Sequence, residues 1–586
     1  MNKLIIVLIA VMLAAVQAGA QEAKEGKMAL LAVREVDGSY EGSPAELSLI
    51  ITPGTGRVFI ESFPLTKIDT QISTRFAKEI VCSRFEGNCN DYDFFYTIRA
   101  KSTIVGGPSA GAAASVLTLA LLEDLPMDQS VALTGTINSG ELVGPVGGIV
   151  QKIEAASDIG IEMVLIPEGE RFVEMGNKTV DVFEYGEELG IKVVEVQDLR
   201  EAMFYFTGRL YERKRGDVSV DETYSEVMRE LAEMLCERNK ELASEAKETE
   251  GYEEIIRSAE NLTRQAEEAG GEGNYYTMAS RCFGANINTR YAILLSENYT
   301  ENEINDMIAH AGNETDKFEE SIPDYVTLTD LQSYSLVRER LDEARAHLES
   351  SSLLLSEGLV EDAVYQLTYG VERLYSAESW SKFIGKGSIE LSLMEEDLEA
   401  SCLSKLGEAE ERYEYVNLFF PQALAGTRAD LDMAYEKLEN REYELCIFKA
   451  SKAKAEANTL LSVLGVDEER VEDLLQAKLD ATKENIIEQT EKGFFPIVGY
   501  SYYEYANSLK ESDAYSSLLY SEYALELSNI DIYFDRHESS LPDEIKKPLI
   551  PLLFLLAGLL TGFAIAMSLS RRIYRKRRII IRRKKR

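Results

Sequence analysis

Two residues in the first third of this 586-residue chain have the type and setting of a hydrolytic pair. Ser109 lies in Gly106-Gly107-Pro108-Ser109-Ala110-Gly111, directly before a run of small residues, Ala112-Ala113-Ala114-Ser115. That order puts a hydroxyl where loop becomes helix. The first backbone N–H groups of a helix lack intrahelical partners and suit a developing oxyanion. The amides of Ser109 and Ala110 are the candidate donors. The same serine also reads as an ordinary N-cap beside a glycine turn. Lys152 follows Gly144-Pro145-Val146-Gly147-Gly148 and has Ile149, Val150 and Ile153 beside it. Most lysines face water. One buried among such neighbours gives up its proton and can act as general base for Ser109. Lowering its pKa from about 10.4 to about 8 disfavours the charged form by ~3 kcal/mol, a cost seldom kept without a use.

Absences narrow the chemistry. The histidines are His310, His347 and His537, all far beyond Lys152. A Ser-His-Asp triad and a His-ligated zinc site are therefore excluded from the first third. No metal and no cofactor is expected. No G-x-x-x-x-G-K-[ST] occurs, so ATP is not an expected ligand. The formal charge is −39, and residues 571–586 hold eleven of the cations and no acid. The preceding body is therefore more negative still, which argues against nucleic acid as a partner. A solubilising or salt-adapted surface accounts for the acidity.

The elements that must position the pair alternate between strand and helix. Ala29–Val36, Ala45–Thr52 and Gly56–Ile60 read as strands, and Lys67–Phe85 as a helix. Strands at Phe94–Ala100 and Val131–Ile137 flank a helix at Ala110–Leu122. A helix at Val150–Ile159 ends at Gly160, a C-cap residue. Met163–Ile166 and Lys192–Val196 read as strands, Val180–Leu189 and Leu199–Phe206 as helices. Residues 27–208 are thus an α/β (α+β) domain. From 217 to 540 strand signals vanish and helical periodicity takes over. Helix pairs turn near Gly273, Gly358, Asn440 and Ser512. Asn274–Leu295, Leu359–Glu378 and Arg441–Leu460 resemble one another, with further helical runs at 301–320, 389–417 and 468–490. The expectation is an acidic helical repeat or bundle. Its many tyrosines read as helix-packing residues rather than a ligand cage.

The run Gly107-Pro108-Ser109-Ala110-Gly111, then Thr134-Gly135, Pro145-Val146-Gly147-Gly148, Lys152 and Leu165-Ile166-Pro167-Glu168 resembles the proteolytic domain of the Lon protease family. Order and spacing agree, including the 43 residues from Ser109 to Lys152. The resemblance covers residues 27–208 and is strongest over 104–168. It implies a Lon-type fold and peptide hydrolysis by a Ser–Lys dyad. Ser109 is then the nucleophile, Lys152 the base, and Thr134 the hydroxyl that helps hold the lysine. Polypeptides are the implied substrates and a hexameric homo-oligomer the implied assembly. Gly106 departs from the Asp or Glu usual in the family. The ATPase unit usual in the family is missing, so unfolded, flexible or already cut chains are the expected substrates.

Both ends are expected to be membrane-directed. Residues 1–20 have the pattern of a signal peptide. Residues 548–569 lack charge and are long enough for a transmembrane helix, and 570–586 form a basic tail. These signals imply a single-pass cell-membrane protein with its body outside the cytoplasm and its tail inside. Cys82 and Cys89 are the candidate disulfide pair in such a compartment, and the other four cysteines read as small buried hydrophobes. The expected function is an ATP-independent, membrane-anchored serine endopeptidase. The rival is a non-catalytic Lon-fold scaffold or binding protein of the cell surface.

Overall fold

The structure, a computed structural model, describes residues 23–529 apart from 37–38, 86, 106–107, 176–177, 215, 247–250, 298, 324, 326, 387–394, 418–419, 421 and 467, together with residues 562, 566 and 567. The elements up to residue 529 belong to one compact unit, residues 1–534, and residues 535–586 form a second.

The first third is built from β1 (Lys24–Val36), β2 (Ser39–Pro53), β3 (Val58–Thr66), α1 (Ile68–Arg84), β4 (Tyr92–Val105), α2 (Gly111–Leu122), β5 (Val131–Leu133), β6 (Thr136–Ile137), β7 (Val143–Gly144), α3 (Ile149–Asp158), β8 (Met163–Pro167), β9 (Phe172–Met175), β10 (Lys178–Asp181), α4 (Val182–Glu188), β11 (Lys192–Val196) and α5 (Leu199–Thr207). Four strands form one sheet in the order β1-β2-β4-β3. Three parallel strands form a second, β11-β8-β5. In the first sheet Leu47, Leu49 and Ile51 of β2 pair with Ile98, Tyr96 and Phe94 of β4. All six are buried, as the period of two along a one-sided strand requires. They face α2, which is apolar around nearly its whole circumference and is the central helix of the domain. Its two polar side chains are satisfied locally: Ser115 donates to Gly111 O at 3.0 Å and Thr118 to Ala114 O at 2.6 Å.

The expected strand Val131–Ile137 is two strands, broken at Thr134-Gly135. Residues 172–181, expected to be partly helical, instead form the β9–β10 hairpin, with the following helix starting only at Val182. The Asp181 side chain caps that helix by accepting from Phe183 N at 3.0 Å.

Beyond Asp221 the chain is helical: α6 (Glu222–Glu245), α7 (Glu253–Glu272), α8 (Tyr275–Ser296), α9 (Glu301–Ser321), α10 (Leu328–Ser356), α11 (Val360–Trp380), α12 (Glu395–Asn417), α13 (Ala425–Glu439), α14 (Tyr443–Ser462), α15 (Val471–Glu491), α16 (Ile497–Leu509) and α17 (Ala514–Ser528). The α7–α8 and α10–α11 turns fall at Gly273 and just before Gly358, both in the left-handed region at φ 84° and 80°. The α13–α14 turn uses Asn440 and Arg441, and the α16–α17 turn includes Ser512. The helices bury their apolar stripes against one another around one large core, with smaller clusters beside it.

Cys82 is bonded to Cys89, tying the end of α1 to the turn before β4. The remaining cysteines are not lone hydrophobes. Cys236–Cys282 joins α6 to α8, and Cys402–Cys446 joins α12 to α14. Both bridges span about a helical hairpin, too far in sequence for spacing alone to reveal.

The membrane span expected over 548–569 requires correction. Among the described residues no helix is long and apolar enough to cross a membrane. Of 548–569 only residues 562, 566 and 567 are described, and the expected signal peptide and basic tail lie outside the described residues. A single-pass membrane protein with an external body is therefore not supported.

Removing the α6–α8 bridge by Cys236→Ser with Cys282→Ser should lower unfolding free energy by about 2–4 kcal/mol. Urea unfolding with and without reductant checks this. A double variant as stable as the oxidised parent would mean that the bridge carries no stability.

Candidate functional site

Ser109 sits at the turn entering α2, half-buried. The turn is closed by Gly111 N donating to Pro108 O at 3.0 Å. Gly111 is packed so closely that a Cβ there would lie 3.1 Å from Ile137 Cγ2. Gly106 and Gly107 lie outside the described residues.

The break in the β5–β6 strand lies against this turn. Gly135 N donates to Ser109 O at 3.1 Å, and Ala112 N donates to Gly135 O at 3.2 Å. Thr134, the residue before Gly135, is fully buried, and its own N–H is taken by Leu165 O at 3.1 Å. The backbone at Thr134-Gly135 is thus clasped between β8 on one side and the Ser109 turn on the other. This clasp fixes where the Thr134 hydroxyl points.

Lys152 arrives from the opposite direction, on α3. Gly148 caps that helix at φ 71°, a conformation that suits glycine, and a Cβ there would meet Val33 at 2.6 Å. The helix then turns Ile149, Val150 and Ile153 into an aliphatic cluster with Val164, Ile166 and Leu31. Lys152 is carried in with them and is 3% exposed. Its Nζ donates to Thr134 Oγ1 at 3.0 Å. Burial pushes its pKa down to about 7, opposed by the nearby Glu170 carboxylate.

Thr134 and Lys152 are therefore brought together, and Ser109 is joined to them through the Gly135 backbone. Among the described residues Thr134 is the amine's hydrogen-bond partner, and the Ser109 hydroxyl is not bonded to it. Such contacts commonly tighten only when substrate binds.

Sequence reasoning missed a group of residues from the helical region. The single turn Ser139–Glu141 links β6 to β7 and lies between Gly135 and the Gly144–Gly148 segment. Lys478 of α15 donates to Ser139 O at 2.9 Å and to Ser139 Oγ at 3.0 Å. Ser139 Oγ donates to Glu522 of α17 at 2.6 Å. Lys478 and Glu522 pair at 2.6 Å, each with a side-chain exposure of 0%. Nearby, Arg200 of α5 pairs with Glu484 of α15, and Glu79 of α1 pairs with Lys454 of α14. Arg470 donates to Glu168 O at 2.5 Å and lies 4.0 Å from Glu170, the carboxylate that acts on Lys152. The partners that join the two regions stand 284–383 residues apart, so no local motif could have revealed them.

Comparison with known proteins bears on this arrangement. The family model of the Lon protease (S16) C-terminal proteolytic domain matches residues 48–196. This stretch is similar to a Lon-type proteolytic domain. The archaeal Lon protease of Methanothermobacter thermautotrophicus is 42% identical over 78 residues, 13% of this chain and 12% of that protein. The Lon protease of Methanosphaera stadtmanae is 31% identical over 180 residues, 30% of this chain and 20% of that protein. Lon protease 2 of Bacillus subtilis is 38% identical over 78 residues, 13% and 14% of the two chains. The chain thus spans a fifth or less of the length of these relatives. The matches support a protease, and the Lon-type domain holds Ser109, Thr134 and Lys152 within its bounds.

Two expectations follow. Replacing Lys152 by Met removes an amine that must shed its proton to be buried. Its folded pKa is about 7 against an ordinary 10.5. The unfolded chain therefore binds the extra proton between these values, and native stability rises with pH across that window. Lys152→Met should stabilise the protein, by roughly 3 kcal/mol more at pH 7 than at pH 10. Urea midpoints at the two pH values check this, and an equal gain at both would show a hydrated amine. Lys478→Met, which strands Glu522, should cost about 3–5 kcal/mol, and adding Glu522→Met should restore most of it. A double variant no better than the single would rule out the pairing.

Proposed function

We propose that this chain is an ATP-independent serine endopeptidase that hydrolyses unfolded or flexible polypeptides, with Ser109 as nucleophile and Lys152 as general base. One observation carries the reading: a lysine 3% exposed, hydrogen-bonded to Thr134 and with its pKa lowered to about 7. At pH 8 such an amine is about nine-tenths neutral and has a lone pair to offer. An ordinary lysine would hold that lone pair on fewer than about one molecule in a hundred.

The steps follow from those groups. Neutral Lys152 takes the Ser109 proton as the hydroxyl oxygen attacks the substrate carbonyl. The backbone amides of Ser109 and Ala110, at the start of α2, receive the oxyanion. Protonated Lys152 then gives its proton to the departing amine, and the peptide C–N bond breaks. Water attacks the acyl-enzyme while Lys152 again serves as base, which frees the acid product and Ser109. The Thr134 hydroxyl accepts from the amine throughout and holds it on one side of the serine. An oligomeric ring of this chain belongs to the same proposal.

Ser109→Ala and Lys152→Ala should each abolish cleavage of casein, by more than about 10³-fold. The pH–rate profile of the parent should show an acid limb near pH 7, because activity needs the neutral amine. Glu170→Gln removes the carboxylate that favours the charged amine, so that limb should move to lower pH. Near-parental turnover by the Lys152→Ala protein would sink the dyad. An acid limb unmoved in Glu170→Gln would sink the electrostatic account.

A further inference from the structure

The helical region forms a partly open cavity of about 370 Å³, within the range of small-molecule sites (about 300–1,000 Å³). Its walls are aromatic. The Tyr276 ring lies 6.0 Å from Trp380 and 6.0 Å from Tyr502, and the Tyr505 and Tyr520 rings meet at 4.7 Å. These contacts fit the expectation that the tyrosines pack helices. Packing alone does not explain the space left between them, since well-packed interiors hold few voids larger than a water molecule.

The polar groups in the walls indicate what the space would hold. Three cations line it: Arg340, Arg373 and Lys452. So do two carboxylates, Glu339 and Glu343. Lys452 pairs with Glu339 at 2.6 Å and Arg373 with Glu343 at 2.9 Å. Arg340 remains. It is 8% exposed, and its Nε is buried with no hydrogen-bond partner. Among the described residues it is in no ion pair: the Trp380 ring lies 5.7 Å from its guanidinium, and the Glu343 and Glu339 carboxylates act on its charge only from beyond ion-pair distance. Its charge acts on Tyr276 and Tyr502, which are 8% and 6% exposed and whose hydroxyls make no hydrogen bond among the described residues. A buried guanidinium N–H without an acceptor is costly, and the two tyrosine hydroxyls offer further donors beside it. Three donors and one surplus positive charge converge on one aromatic chamber. A single surplus charge matches a monoanion better than a phosphate dianion.

We propose that this cavity binds an organic monocarboxylate with a planar or apolar body. The carboxylate takes donors from Arg340, Tyr276 and Tyr502, and the body lies against Trp380, Tyr505 and Tyr520. Two sources share this chemistry, a free small acid and the C-terminal residue of a peptide. The second rests on the peptidase reading above, because each hydrolysis leaves a new C-terminal carboxylate. The first does not.

Trp380 is the single tryptophan of the chain, so its fluorescence reports on the cavity alone. The full chain carrying Ser109→Ala, which keeps peptides intact, is titrated with N-acetylphenylalanine and with acetyl-Gly-Gly-Phe, each as free acid and as amide. At least one acid should change Trp380 emission saturably, with its amide at least about tenfold weaker. A preference for the tripeptide acid identifies a peptide terminus, and a preference for N-acetylphenylalanine identifies a free acid. Arg340→Met should remove the preference for acid over amide while thermal unfolding stays at or above that of the parent, since it deletes an unpaired buried charge. Tyr502→Phe, a gentler change, should weaken the acid several-fold. The proposal is overturned if neither acid gives a saturable change up to about 10 mM, if the amides bind as well as the acids, or if both variants bind like the parent. Because the readout is binding, it stands or falls separately from the dyad.

Discussion

The site depends on keeping one amine dry. Lys152 is held in an aliphatic shell by the first turn of α3, and it has a single threonine hydroxyl to donate to. The surrounding packing must therefore be good enough to bear a desolvation cost of several kcal/mol. The shell is close-packed in the required way. Ile149, Ile153, Val164 and Ile166 are all at 0–1% exposure, and Gly148 starts the helix where a larger residue would strike Val33. Water admitted at any of these positions would return the proton to the amine before anything else failed. The chemistry proposed for Ser109 is thus a consequence of core packing, and the dyad is only as good as the cluster behind it.

That packing does not end at the α/β layer. The turn between β6 and β7 lies between the Thr134 clasp and the glycine-rich approach to Lys152, and its outer side is bonded to α15 and α17. The contact is ionic and fully buried. Every acceptor of Glu522 is used, by Ser139, Ser462 and Lys478. Apolar residues of the same shape would bind as strongly or more so, but they would tolerate sliding. A serine of the first region held between the two members of a buried ion pair of the second permits one register. The helical region is accordingly part of the frame that positions the site. The Lon proteolytic-domain family model matches residues 48–196, which lie in the part being framed.

How much could be read from the sequence follows the range of the interaction concerned. Ser109 and Lys152 could be proposed from the sequence because their setting is local, small residues around a hydroxyl and aliphatic residues around an amine, whereas Thr134 was singled out by the family resemblance alone. The helix turns at Gly273 and Gly358 were legible for the same reason, as a left-handed residue is a local requirement. The β9–β10 hairpin went unassigned and the helix expected from Val180 starts at Val182, because so short a run of apolar residues fits a helical and a strand period about equally. Cys236–Cys282 and Cys402–Cys446 join residues 46 and 44 positions apart, and periodicity says nothing about pairing at that range. Residues 548–569 show the opposite error. A charge-free run meets the length test for a membrane span, yet that test is permissive and no described helix meets it.

The acidity of the chain takes on a different meaning beside the Arg340 chamber. A net charge of −39 repels anions over the outer surface, and salt screens that repulsion beyond a Debye length of about 8 Å. Within the chamber the outer charges count for less than a guanidinium at contact distance in a low dielectric. A carboxylate therefore meets opposing fields, unfavourable on approach and favourable on arrival. Added salt should weaken the first more than the second, so association with the chamber should quicken as ionic strength rises. Stopped-flow traces of Trp380 emission at low and high salt would report that rate. A rate that fell with salt would mean that the approach itself is attractive, and that the acidic surface does not govern which molecules reach the interior.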